Sequence, residues 1–543
     1  MLISFWSTDR FLQIYILGHL PQSLRPMAET RLSSLGITAA GKIDRCAAIA
    51  DKLTPVLRTY DRYGNRIDEI EFHPAYIEMA IAGYEAGLVW LHYDPEMRRE
   101  YGYIPYLLTI GGMGYLFAQA ESGLFCPICM TDGVARVIEK FGDDYLKQHV
   151  LPRLISRSFE NLYQGAMFLT EKQGGSDVGA NTCRATKDTS GWWRLHGEKW
   201  FCSNAGAEAI LVLARPDGAP SGTRGLGLFY MPKYLDDGTR NSYRINRLKD
   251  KLGVRSMPTG EITLNGALAY PVGRLDRGFV QMAEMINLSR LYNAVASVAI
   301  MRRATVEALI HSSGRHAFGK RIIDLPLTTR VLADLILEQR ACLLLVLETI
   351  RLLDKVESGS GTSSEAAQVR LLTPLVKYYT ARMAVWAASE AMEVLGGNGY
   401  IEEFVTARLL RDAQVLPIWE GTTNILVLDA LRAARKESAH LALFDALAAK
   451  VKDKSETVEK ALIELTREFE LLLEENPERE FTAKMLTDRL CRLIQAVFLI
   501  SETNAPDASL VAECYIDKHL GDGINLANAR KLVLGELESL NME

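Results

Sequence analysis

The chain of 543 residues is 48% apolar and 24% charged, which excludes a disordered or fibrous protein and predicts several folded domains, because one hydrophobic core rarely serves so long a chain. Its net charge of -5 offers no general attraction for a polyanion, and eight cysteines are too sparse for a disulfide scaffold. The opening MLISFWSTDR lacks the basic start of a secretory signal, so the reducing cytoplasm is the expected location.

From about residue 40 to 160 apolar residues recur every three or four places, as in AAIADKLTPVLRTY and TDGVARVIEKFGDDYLKQHVLPRLI, and predict an N-terminal helical domain over 1–160. The uncharged run Tyr101 to Ala120 is long enough to cross a bilayer. Its Gly111, Gly112, Gly114 and Gln119 favour instead a buried helix with close backbone contacts, and no membrane span is expected. Between 161 and 280 the texture changes to short β-rich runs such as GWWRLHGEKWFC, AILVLA and GLGLFYMP, punctuated by DTSG and PDGAPSG, which predict a central β domain. Long helical patterns return over 281–440, broken at 357–365 by the turn ESGSGTSSE. A further helical domain follows over 441–543, with its acidic balance set by 11 Lys+Arg against 19 Asp+Glu across 451–543. Its spacing of Met485, Leu486, Leu490, Leu493, Ile494, Val497 and Phe498 predicts one buried helix face. The predicted fold class is mainly α with a central β domain.

Three segments carry candidate chemistry. Thr170-Glu-Lys-Gln-Gly-Gly175-Ser176-Asp combines adjacent glycines with short hydroxyl donors, suited to a ring edge or phosphate, although an ordinary turn between strands uses the same residues. In Lys199-Trp200-Phe201-Cys202-Ser203-Asn204, alternation along a strand gives one aromatic to a core and the other to a planar ligand, with core packing on both sides as the plain reading. Leu395-Gly-Gly397-Asn-Gly399, followed by Trp419-Glu420-Gly-Thr422, offers a helix ending and a carboxylate beside an aromatic ring. Desolvation there would make Glu420 a better base near neutral pH, whereas the plain reading is an exposed turn glutamate.

Taken in order, TEKQGGSD, KWFCSN, RHAFG, LGGNG and WEGT resemble the recurring motifs of the FAD-dependent acyl-CoA dehydrogenase family, over roughly residues 60–435. The wording LTEKQGGSD and MEVLGG is similar to its long AidB-like branch. The resemblance implies a helical domain, a β-barrel-like domain and a helical bundle around FAD, in a homodimer or homotetramer. It implies that Phe168, Leu169 and Thr170 approach the flavin, with Gly175 and Ser176 near its pyrophosphate. Phe201 stands for the family's tryptophan beside the ring and Ser203 for its threonine. Arg315 and Phe318 would reach FAD from a neighbouring subunit, while Gly397, Thr422 and Asn424 complete the contacts. Glu420 would abstract the α-proton of an acyl-CoA, Arg290 would tune the pocket, and an electron-transfer flavoprotein would take the electrons.

Departures stand beside these matches. Glu393 occupies a glutamine position of the FAD site, Leu325-Pro326 replaces His-Gln, and Asn287 replaces an aspartate near the substrate entrance. An oxidase acting on another α-acidic substrate, or a nucleic-acid-associated AidB-like flavoprotein, are the alternatives; the acidic 451–543 segment argues against DNA as a partner. Cys126-Pro-Ile-Cys129 lacks a second pair and is read as structural, so no metal is expected. The GGNG glycines lack a strand–loop–helix context, so NAD is not expected.

Overall fold

The computed structural model describes residues 4–474, 476–502 and 504–540. The chain forms two compact units, one of Met1–Gly41, Pro105–Ala120 and Asn293–Glu543, the other of Lys42–Ile104 and Glu121–Tyr292. The architecture is mainly helical with a central β domain.

The second unit holds that β domain. Strands β3 (Gly165–Phe168), β4 (Arg184–Lys187), β5 (Trp193–Ser203), β6 (Ala209–Pro216), β7 (Gly227–Pro232), β8 (Tyr243–Leu248) and β9 (Thr259–Pro271) form one sheet in the order β3-β6-β4-β5-β9-β7, with β8 on β9. An extra β6–β7 pairing closes the ring β6-β4-β5-β9-β7, and closure removes the strand edges of those members. Inward side chains including Phe168, Leu195, Val212, Phe229, Ile245 and Ile262 fill it.

One expectation fails upstream. The run read as continuously helical contains an antiparallel hairpin of β1 (Val56–Tyr60) and β2 (Arg66–Glu71). The helix Asp44–Lys52 ends just before Thr54-Pro55, where proline disfavours helical geometry at the preceding residue. The following VLRTY is rich in β-branched and aromatic types. Asp61 Oδ1 then accepts from the Tyr63 and Asn65 N–H groups at 2.8 and 2.9 Å, closing the turn.

In the first unit the uncharged run becomes a π-helical segment, Leu107–Gly114, continued by the α-helix Tyr115–Ala120, with every residue buried. A Cβ on Gly111 would lie 3.1 Å from Leu347 Cδ2, and one on Gly112 would lie 3.0 Å from Leu32 Cδ2, which explains the small residues. Among the described residues no helix is long and apolar enough to cross a membrane. The helices Pro326–Glu357 and Ser363–Leu395 pack side by side across the predicted break, where Thr362 and Glu365 form a reciprocal cap.

The appended segment forms helices Ala439–Val451, Glu456–Leu472, Pro477–Ser501, Ala508–Leu520 and Leu526–Ser539. Proline suits the first position of Pro477–Ser501 because its missing N–H is not needed there. The buried face of that helix begins at Ala483 and continues through Leu486 and Leu490; Met485, expected on it, is exposed. Tyr378 Oη donates to Asp488 at 2.6 Å, and Lys518 and His519 meet Glu338 at 2.8 and 2.7 Å. The appendix therefore packs on the bundle within one unit.

Candidate active site

In the β unit the first two motifs meet. Glu171, from TEKQGGSD, and Lys199, from KWFCSN, form a buried ion pair of 2.8 Å. Glu171 also accepts from Thr182 N and Oγ1 and from Cys183 N. Burial alone would raise its carboxyl, but Lys199 and the Thr182 donors hold it at about 2. Lys199 Nζ further donates to Leu169 O at 3.1 Å, and Trp200 N donates to Thr170 O at 2.9 Å. This pair was missed in reading the sequence for small and aromatic residues; the signal was the opposite charge at fixed places in two runs.

The motif side chains then divide by exposure. Phe168 points into the barrel core, so its side chain is committed to packing and only its backbone is available to a ligand. Leu169, Thr170 and Ser203 are half-buried, and Gly175 and Ser176 are exposed. Gly175 lies so close to Thr170 that a Cβ there would stand 2.6 Å from the Thr170 hydroxyl oxygen. Of the two aromatics, Phe201 is 58% exposed, and Trp200 is half-buried under Lys249, whose Nζ is 3.4 Å from its ring centroid. Register shifts between Lys199 and Cys202 release this stretch from regular pairing with β9, and such bulges re-aim side chains. An exposed ring beside hydroxyl groups and closely approaching backbone fits a planar, phosphate-bearing cofactor. Arg290 also belongs to this unit; it is buried and donates to Asn287 Oδ1 at 3.2 Å.

In the helical unit Gly396, at φ 61°, ends the helix Ser363–Leu395, a backbone region glycine enters readily. Glu393 and Gly397 are exposed at this corner. Gly399 is packed so that a Cβ would meet Met392 O at 2.3 Å. Leu325-Pro326, one of the departures, marks the start of the helix Pro326–Glu357. Arg315 is exposed before a short hairpin of β10 (His316–Ala317) and β11 (Lys320–Arg321). Phe318 stands at the tip, 93% exposed at φ 52°.

Glu420 is half-buried in a turn, neither in a helix nor fully exposed. Its φ of 59° is left-handed, and Gly421 follows at 105°. A glutamate held there stores strain that the surroundings must impose. Asn293 supports the approach by donating to Leu416 O at 3.2 Å, while Lys377 Nζ donates to Gly421 O at 2.6 Å. Thr422 and Asn424 are exposed at the start of the helix Thr423–Glu437, and the Thr422 hydroxyl does not cap that helix. Cys126 and Cys129 are both free thiols.

Comparison with known proteins identifies the family. Family profiles match over residues 3–161 (adaptive response protein AidB N-terminal domain), 166–267 (acyl-CoA dehydrogenase, middle domain) and 276–435 (acyl-CoA dehydrogenase, C-terminal domain). The chain is 36% identical over 426 residues to acyl-CoA dehydrogenase family member 11 of Caenorhabditis elegans, covering 76% of this chain and 68% of that one. It is 34% identical over 438 residues to the putative acyl-CoA dehydrogenase AidB of Escherichia coli, covering 79% and 78%. The crystal structure of Caenorhabditis elegans ACDH-11 in complex with C11-CoA superposes with a TM-score of 0.87 at 29% identity, over 98% of this chain and 94% of that one. The chain belongs to the acyl-CoA dehydrogenase family of flavoprotein oxidoreductases, in its AidB branch.

Proposed function

We propose that the chain performs FAD-dependent α,β-dehydrogenation of an acyl-CoA thioester, with Glu420 as the base. The observation that carries this reading is the left-handed Glu420, a charged non-glycine residue held in a costly conformation inside the matched WEGT turn. On the β unit Thr170, Gly175, Ser176, Phe201 and Ser203 are the proposed FAD contacts; Glu393, Gly397, Thr422 and Asn424 are proposed FAD contacts of the helical unit. Arg315 and the outward Phe318 suit contact with FAD bound to a second copy. FAD, when bound, supplies the acceptor for the β-hydride.

The chain's own residues do the remaining work. The Glu420 carboxylate takes the α-proton as the Cα–Cβ double bond forms, and the Glu420 backbone N–H polarises the thioester carbonyl on which negative charge develops. Arg290, buried and donating to Asn287, is assigned the tuning of local charge. A thioester substrate is supported by the C11-CoA bound to the Caenorhabditis elegans relative, and an electron-transfer flavoprotein is the proposed acceptor.

Anaerobic mixing of the FAD-loaded protein with a panel of acyl-CoAs tests the reading by loss of flavin absorbance. Glu420→Gln should slow that loss at least about a hundredfold with FAD retained. A near-wild-type rate in this variant would show that another group takes the proton. Reoxidation by electron-transfer flavoprotein rather than oxygen identifies a dehydrogenase; fast reoxidation by oxygen overturns it in favour of an oxidase.

A further inference from the structure

Lysine is rarely enclosed, because an ammonium loses its hydration on burial. Lys377 lies within the helix Ser363–Leu395 and is fully buried, yet it is 43 positions from the glutamate it serves. Its Nζ donates to the carbonyl of Gly421 at 2.6 Å, a charge-assisted bond of the strong kind. That carbonyl belongs to the second of two consecutive left-handed residues, Glu420 at φ 59° and Gly421 at 105°. On its other side the turn is bounded by Leu426, whose Cδ2 would lie 3.2 Å from a Cβ on Gly421. Left alone, a glutamate relaxes out of this conformation; here the next peptide is fixed by a long side chain anchored in a packed helix.

We infer that Lys377 is a positioning residue for the base: by holding the Gly421 carbonyl it locks the left-handed pair and aims the Glu420 carboxylate. The inference rests on Glu420 being that base. Its function is separate from substrate binding, since the bond is to backbone and not to a group that faces a ligand. Removing the ammonium should therefore lower the rate of the proton-transfer step without weakening acyl-CoA.

The test uses full-length, FAD-loaded protein. In Lys377→Met, flavin reduction at saturating acyl-CoA should fall roughly 10- to 100-fold, the scale of a misplacement of about 1 Å, while the acyl-CoA dissociation constant stays within about threefold. Lys377→Arg, which keeps a charged donor, should restore most of the rate. Gly421→Ala strains the same turn independently and should reproduce the Lys377→Met pattern. A fully loaded Lys377→Met enzyme reducing at the wild-type rate overturns the inference, as does a loss that Lys377→Arg fails to restore and that follows lost FAD. Should Lys377→Met not fold, a wild-type rate in Gly421→Ala alone overturns it. If Glu420→Gln also reduces normally, it is the assignment of the base that fails; if Glu420→Gln is inactive and Lys377→Met is not, only the positioning role fails.

Discussion

Replacing Glu536 with leucine should destabilise the helical unit by about 3–5 kcal/mol, the cost of leaving buried cations without their partner. Glu536 comes from the last helix, Leu526–Ser539, and meets two guanidinium groups. Arg302 reaches its Oε1, and Arg340 lies 3.6 Å from its Oε2. Burial would raise the Glu536 carboxyl, but Arg302 and Arg340 outweigh burial and hold it below the usual range. Arg302 keeps Asp9 at 3.4 Å and Thr8 O at 2.6 Å after the change, and Arg340 keeps Asp507 at 3.3 Å; these remaining partners place the expected cost toward the lower end. At roughly 2 °C per kcal/mol for a body of this size, the melting temperature should fall by about 6 °C. Thermal melts and a cycle with Arg302→Met measure the effect, and the double variant should cost less than the two single changes added. A Glu536→Leu protein within about 0.5 kcal/mol of wild type, or strictly additive single changes, would refute the claim that this network ties the appendix to the N-terminal segment.

Other outcomes follow from buried charge in each unit. Lys199→Met, which strands Glu171 inside the β unit, should cost about 3–5 kcal/mol in chemical denaturation. Glu171 and Glu338 both titrate at about 2 when folded against an ordinary 4.5, so their stabilisation is complete above about pH 4.5 and is lost as pH falls toward 2; denaturation midpoints taken across that window check the sign. Asp132 behaves oppositely, because burial outweighs its bonds from Tyr292 and Tyr93 and raises it from 3.8 to about 6. Stability should therefore decline as pH rises from about 4 to 6, and Asp132→Asn should flatten that decline.

Periodicity made helices legible where one face is buried, as in Glu456–Leu472 with Val458, Leu462, Leu465, Phe469 and Leu472, while Pro326–Glu357, buried all round from Leu335 to Ile350, was legible from its long apolar run. The break between Glu357 and Ser363 was readable from local chemistry. The Val56–Glu71 hairpin was not, because its two short strands followed a helical run and only Thr54-Pro55 marked the change. The π-helical geometry over Leu107–Gly114 was equally hidden. Its glycines announced close packing, but which side chains approach depends on Leu32 and Leu347, far away in the chain.

The candidate site shows the same division between local and distant causes. Short motifs nominated Thr170, Ser176, Phe201 and Glu420 as candidates because the runs that hold them stand in the order of the family's motifs. Such motifs do not reveal what holds them. Glu171 and Lys199 lie 28 positions apart, and each looks like a solvent-facing charge until the strands bring them into one buried pair. Lys377 is the extreme case: it interrupts the apolar run LVKYY without any adjacent acid to explain it. A charge in the middle of an otherwise buried helix face is costly unless something distant repays it. Here the distant group is the backbone of the turn that carries Glu420, so the anomaly in the helix and the strain in the turn have one explanation.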